Sequence, residues 1–100
     1  SVGVVVADAG YDTMTRALES RGLTYSALGD DADMSTHVDV VPASLVKGLE
    51  FDHVVLVEPA AIVAGEPDPV TGLRRLYVCL TRAVTSLAVV HGRPLPEMLQ

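Results

Sequence analysis

The run Val54-Val55-Leu56-Val57 holds no polar side chain, is too short to stand as a helix, and is too apolar for a strand with one wet face. Such runs belong to strands covered on both sides, a condition met in parallel sheets whose crossover helices lie on both faces. Val2-Gly3-Val4-Val5-Val6 has the same character. Val38-Asp39-Val40-Val41 follows and is stopped by Pro42, residues 87–90 supply a last strand, and residues 23–28 read as a short edge strand. Helical stretches lie between them. Tyr11, Met14, Ala17 and Leu18 recur at helical spacing, with Asp8 or Asp12 as an N-terminal cap and Gly22 as a left-handed closing residue. Residues 60–64 form a short helix after Glu58-Pro59. From 73 to 84, Leu73, Leu76, Tyr77, Leu80 and Val84 follow the i, i+3, i+4, i+7 rule, the strongest helical pattern in the chain. This stripe predicts Tyr77, with Met14, in the core. Alternating strands and helices predict a three-layer α/β/α domain with a parallel sheet. Residues 29–33 and 65–72 read as polar loops, and 94–100 as a tail with one turn of helix.

One hundred residues, 49% of them hydrophobic, make one small domain, 1–100, with enough apolar surface for a core. The chain begins at Ser1 with a strand immediately behind it, which is expected of a piece of a longer protein. The net charge of −6 runs against an isolated nucleic-acid binder, because neutralising phosphates requires basic surface. The single cysteine, Cys79, has no partner for an internal disulfide, which favours a reducing compartment. No signal peptide stands at the start, and no stretch reaches the roughly 18 apolar residues of a membrane span. The expectation is a cytoplasmic protein without membrane contact.

Two segments carry charge in apolar surroundings. On a helix over 73–84, Arg82 points away from the apolar stripe and Arg75 lies two turns earlier on the same outward side. An arginine held at the end of a packed helix suits an arginine finger, which stabilises charge on a transferring phosphoryl group. Spacing alone leaves an ordinary solvated arginine as the simpler account. In Lys47-Gly48-Leu49-Glu50-Phe51, between two strands, Gly48 permits a tight backbone path at a sheet edge of the kind where α/β proteins bind ligands. A turn with a solvated ion pair is the simpler account of that segment.

Taken together, the two segments carry a resemblance. Val46-Lys47-Gly48-Leu49-Glu50-Phe51-Asp52 followed by Val54-Val55-Leu56 resembles motif V of the UvrD/Rep-type superfamily 1 DNA helicases. Arg74-Arg75-Leu76-Tyr77-Val78-Cys79-Leu80-Thr81-Arg82-Ala83 resembles motif VI of the same family, in the expected order. The resemblance implies a RecA-like domain of the P-loop NTPase type, the second and C-terminal motor domain, closing over ATP and Mg²⁺ bound to an N-terminal RecA-like partner domain. It further implies that Arg82 is the finger for the γ-phosphate and that Glu50 lies near the nucleotide's ribose and phosphates. Gly48 and Lys47 would support the nucleotide and the nucleic-acid side of the cleft.

Family members carry a threonine and a histidine ahead of the lysine to hold single-stranded DNA; Pro42 and Ser44 stand there. Proline brings neither hydroxyl nor N–H, so a role for Ser44 in DNA contact or coupling is weakened. Pro42 to Asp52, then Val57-Glu58-Pro59, is similar to the HelD branch, whose motors act on RNA polymerase. The chain has no P-loop, and with no acidic Mg²⁺-binding strand end it supplies half a site and is expected to be inactive alone. His37, His53 and His91 lack ligand spacing, Asp30, Asp31 and Asp33 lack the rest of a calcium loop, and no metal site is expected. Cys79 reads as a small core residue. Ser44 has no evident base.

Overall fold

The computed structural model describes residues 1–27 and 38–100. The expected loop at 29–33, the end of the expected edge strand at Leu28, the aspartates of that loop and His37 lie outside the described residues. The chain runs β1 (Val2–Val6), α1 (Tyr11–Ser20), β2 (Ser26–Ala27), β3 (Val38–Pro42), β4 (Phe51–Val57), α2 (Pro59–Ala64), α3 (Pro69–Leu80) and β5 (Ala83–Val90). Short 3-10 turns stand at Asp8–Gly10, Ala43–Leu45 and Glu97–Leu99, the last being the expected turn of the C-terminal tail.

All strand pairs are parallel, in the order β2-β3-β1-β4-β5. The chain first moves from β1 toward one edge, then crosses back over β1 to β4 and on to β5. Right-handed crossovers in opposite directions put α1 on one face and α2 with α3 on the other. Val5, Val41 and Leu56, aligned across the three inner strands, share a core with Ile62 of α2 and with Leu76 and Cys79 of α3. Each fully buried Leu or Ile of this set contributes about 1.5–3 kcal/mol by leaving water. This is the α/β fold that the apolar runs predict, and β2 is an edge strand as expected.

The helix ends differ from expectation in instructive ways. α1 closes as predicted: Gly22 takes φ +70°, with Gly22 N–H donating to Glu19 and Leu23 N–H to Leu18, so the last carbonyls are satisfied. Its start uses neither aspartate, for the capping position is Gly10 and no side chain bonds there. α3 begins four residues before Leu73, because Asp68 accepts the Thr71 N–H at 2.9 Å and Pro69 occupies the first helical position, where its missing N–H costs nothing. α3 ends at Leu80, so Val84 belongs to β5. The buried stripe is Gly72, Leu76 and Cys79; Tyr77, expected in the core, is 60% exposed. The phase of the helix is set by Gly72, where a Cβ would come within 2.4 Å of the Val63 carbonyl oxygen. Only a glycine lets α3 approach α2 so closely. Among the described residues, no helix is long and apolar enough to cross a membrane.

Candidate functional site

The segment 42–51 spans the sheet from one end to the other. From the carboxyl end of β3 it makes the turn Ala43–Leu45, buries Val46, and arrives at the amino end of β4. There Leu49 N–H donates to the Val46 carbonyl at 3.0 Å, closing a turn with Gly48 at φ +86°. Such a turn demands a residue that tolerates positive φ at its third position. Lys47, Gly48 and Glu50 are exposed on it.

The end of α3 meets this turn. Phe51 N–H donates to the Arg82 carbonyl at 3.0 Å, and Phe51 is in register with Ala83 as β4 and β5 begin to pair. Arg82 is not on the helix, as the spacing predicted, but in the turn behind it, because α3 stops two residues earlier. Its guanidinium folds back over that turn. Nε donates to the Val78 carbonyl at 2.9 Å, one terminal nitrogen to the Leu49 carbonyl at 3.3 Å, and the other to the Thr81 hydroxyl at 2.9 Å. A guanidinium has five N–H donors. Among the described residues three are used, and one on each terminal nitrogen remains. Gly48, Glu50, Lys47 and Arg82, expected to act together, thus share one edge of the sheet.

Ser44, expected to work with Lys47, does not join them. It is exposed at the carboxyl edge, where its N–H donates to an Asp8 carboxylate oxygen at 3.1 Å. The expectation that residues 47–51 lie at the sheet edge where α/β proteins bind ligands fails: that stretch stands at the amino edge, and it is residues 42–45 that lie at the carboxyl edge. At this second edge a cavity of roughly 740 Å³ opens between α1 and α2, with Asp8, Ser44, Glu58, Glu66, Arg75 and Arg93 in its lining over a largely apolar wall. It lies where the direction of winding reverses. Arg75, expected to point outward beside Arg82, turns here instead and pairs with Glu66 at 2.9 Å.

Glu58 is the carboxyl-edge residue that sequence reasoning missed as a site feature. It takes φ +49°, a left-handed conformation unusual away from glycine, and one of its carboxylate oxygens accepts the N–H groups of Gly92 and Arg93. The Gly92 N–H holds the carboxyl below its ordinary value against the opposing effect of desolvation, with a smaller contribution from the Arg93 N–H. Its other oxygen is buried without a partner among the described residues. Glu58 thus ties the end of β4 to the loop after β5. The only sequence sign was the pair Glu58-Pro59 at a strand end.

No family model matches this chain, and no curated protein matches it. Among solved structures, it is similar to the crystal structure of the C-terminal domain of a possible DNA helicase from Lactobacillus plantarum WCFS1. The TM-score is 0.77 at 27% sequence identity, over 98% of this chain and 60% of the other. The chain therefore spans somewhat less than two thirds of that structure's length.

Proposed function

We propose that this chain is the second RecA-like motor domain of an ATP-driven helicase-type enzyme, completing in trans a nucleotide site whose other half lies on an N-terminal motor domain. The observation that carries the reading is the junction of the Gly48 turn with Arg82, two segments 33 residues apart joined by the bond from Arg82 to the Leu49 carbonyl. The solved C-terminal domain of a possible DNA helicase supports it through the shared fold.

The residues present fit a phosphate-bearing ligand. Arg82 keeps two N–H donors without a partner among the described residues, on a charge that proteins do not deprotonate, a good match to phosphoryl oxygens. Lys47 adds an exposed ammonium, and the Glu50 carboxylate can accept from a ribose hydroxyl. ATP with Mg²⁺ supplies a phosphoanhydride whose cleavage releases the energy of the cycle. Arg82, pinned at three donors before any ligand arrives, meets developing negative charge without reorganising, which is where electrostatic stabilisation is most effective. DNA contact would come mainly from the rest of the protein, since this chain carries a charge of −6.

The test is turnover in the full-length protein. Arg82→Ala should reduce ATP hydrolysis by about 10³-fold or more while ATP binding stays largely intact. Turnover at the parental rate would sink the assignment.

One observation favours a second reading, a HelD-like motor acting on RNA polymerase. At the carboxyl edge the Ser44 N–H is occupied by the Asp8 carboxylate, and Pro42 brings no N–H. A negative charge beside Ser44 repels a phosphodiester backbone. A pull-down of the full-length protein against polymerase, set beside a strand-displacement assay, separates the two: unwinding without polymerase binding rejects the HelD-like role.

A further inference from the structure

Arg82 does not reach the junction as a free side chain. Each of its three nitrogens is tied to a different acceptor, two of them backbone carbonyls fixed by the fold. The third is the Thr81 hydroxyl, which is itself oriented: it donates to the Val78 carbonyl at 3.0 Å while accepting from Arg82 at 2.9 Å. A hydroxyl has one hydrogen to give and lone pairs to receive with, so committing the hydrogen to Val78 leaves a lone pair for the guanidinium. The Val78 carbonyl receives both the Thr81 hydroxyl and Arg82 Nε, so the two side chains are referenced to one backbone atom. Thr81 itself is exposed, and its hydroxyl contacts only Val78 and Arg82 among the described residues.

We infer that Thr81 is a positioning residue: its hydroxyl fixes the rotation of the Arg82 guanidinium so that the two spare N–H donors face a phosphoryl ligand at the junction. The inference rests on the reading of Arg82 as an arginine finger. The two carbonyls hold the Nε side and one terminal nitrogen of the plane; the hydroxyl holds the remaining corner. Without it the second terminal nitrogen is released to water, and part of the preorganisation is lost. The Leu49 carbonyl makes the motif turn a second reference point, so a shift of the Gly48 turn is passed directly to the guanidinium.

The experiment compares Thr81→Val, which keeps the shape and removes the hydroxyl, with Thr81→Ser, which keeps the hydroxyl, in the full-length protein. Steady-state ATP hydrolysis is read for both, with Arg82→Ala beside them and a thermal melt of each. The expected result is a roughly tenfold fall in kcat for Thr81→Val with KM for ATP within about twofold, and recovery to near the parental rate for Thr81→Ser. Parental kcat in Thr81→Val, with Arg82→Ala inactive, overturns the positioning role and leaves the finger standing. Parental kcat in Arg82→Ala overturns both. Equal losses in Thr81→Val and Thr81→Ser also overturn it, because the serine keeps the hydroxyl that the role requires. If Thr81→Val melts well below the parent, the decision passes to Thr81→Ser with the side-chain NMR signal of Arg82: loss of slow guanidinium rotation in the serine variant overturns the proposal, and its retention supports it.

Discussion

The two edges of the sheet are built in opposite ways. At the amino edge, backbone atoms do most of the positioning: the Val46 carbonyl closes the Gly48 turn, and the carbonyls of Val78 and Leu49 hold Arg82. At the carboxyl edge, side chains do it: Asp8 holds Ser44, Glu66 holds Arg75, and Glu58 holds the loop after β5. Backbone acceptors are fixed by the fold and cannot rotate away, whereas side-chain pairs spend conformational entropy to form. The difference teaches where a charge can be preorganised in so small a domain. Arg82 and Arg75 lie seven residues apart, yet they serve different edges.

The contrast is broken most directly through those two arginines. Against the roughly 10³-fold loss expected for Arg82→Ala, Arg75→Gln should leave ATP turnover within about twofold, since its partner is Glu66 and not the Gly48 turn. Comparable losses in the two variants would mean that both edges serve one site and are not divided in function.

A smaller effect comes from the helix that carries Arg75 and leads into the turn of Arg82. At Gly72 an added methyl would meet the Val63 carbonyl at 2.4 Å, and that atom is backbone and cannot swing aside. Overpacking of this kind costs about 1–3 kcal/mol. It outweighs the roughly 1 kcal/mol that alanine gains over glycine in a helix interior. Gly72→Ala should therefore lower the denaturant midpoint, and a raised midpoint would show that α2 and α3 are not locked at this point.

Much of this was legible in the sequence, and the misses have physical causes. β1, β3 and β4 announced themselves because buried parallel strands exclude polar side chains, and α1 ended where Gly22 said it would. The start of α3 was misread because Asp68-Pro69 looks like a loop when taken as composition. Taken as position, aspartate before proline with Thr71 following is a helix start. Its end was misread because Leu76, Leu80 and Val84 continue a helical period into β5. Apolar spacing cannot tell a packed helix from the strand that follows it when the connection is two residues. The same error set the helix phase wrongly, leaving Tyr77 exposed and Arg75 in the cavity wall. The company of Gly48, Glu50 and Arg82 was legible only through the family resemblance, since nothing local in the sequence states that the Leu49 carbonyl meets Arg82.

The N-terminal cap of α3 offers a pH-dependent test of that misread start. The Thr71 backbone N–H, then its hydroxyl, holds the Asp68 carboxyl below its ordinary value of 3.8. A lowered folded-state pKa means that the charged form is favoured by folding. The contribution is present above the ordinary value and is lost as pH falls through it toward the folded-state value. Asp68→Ala should lower the denaturant midpoint near neutral pH, because the cap of α3 is lost. The gap between variant and parent should close in acid. A gap that stays constant with pH would show that the cap acts through shape and not through charge.

The smallest expected effect concerns a residue that faces neither edge. Cys79 is fully buried on α3, and burial pushes its thiol up to about 11, against a smaller opposing pull from Arg75 and then Arg82. The thiolate is the reactive form, so two barriers stand between Cys79 and an alkylating reagent: the proton and the packing. Below about pH 9, iodoacetamide should leave the native chain unmodified and label it fully in denaturant. The labelling rate then reports how often α3 leaves the sheet. Gly72→Ala, which loosens α3 from α2, should speed labelling, whereas Thr81→Val, which removes an exposed hydroxyl bonded to Val78 and Arg82 and leaves the α2–α3 packing in place, should leave it unchanged. Faster labelling in Thr81→Val would tie the amino edge to the packing of the whole helix, and the separation between a backbone-built site and the core beneath it would have to be redrawn.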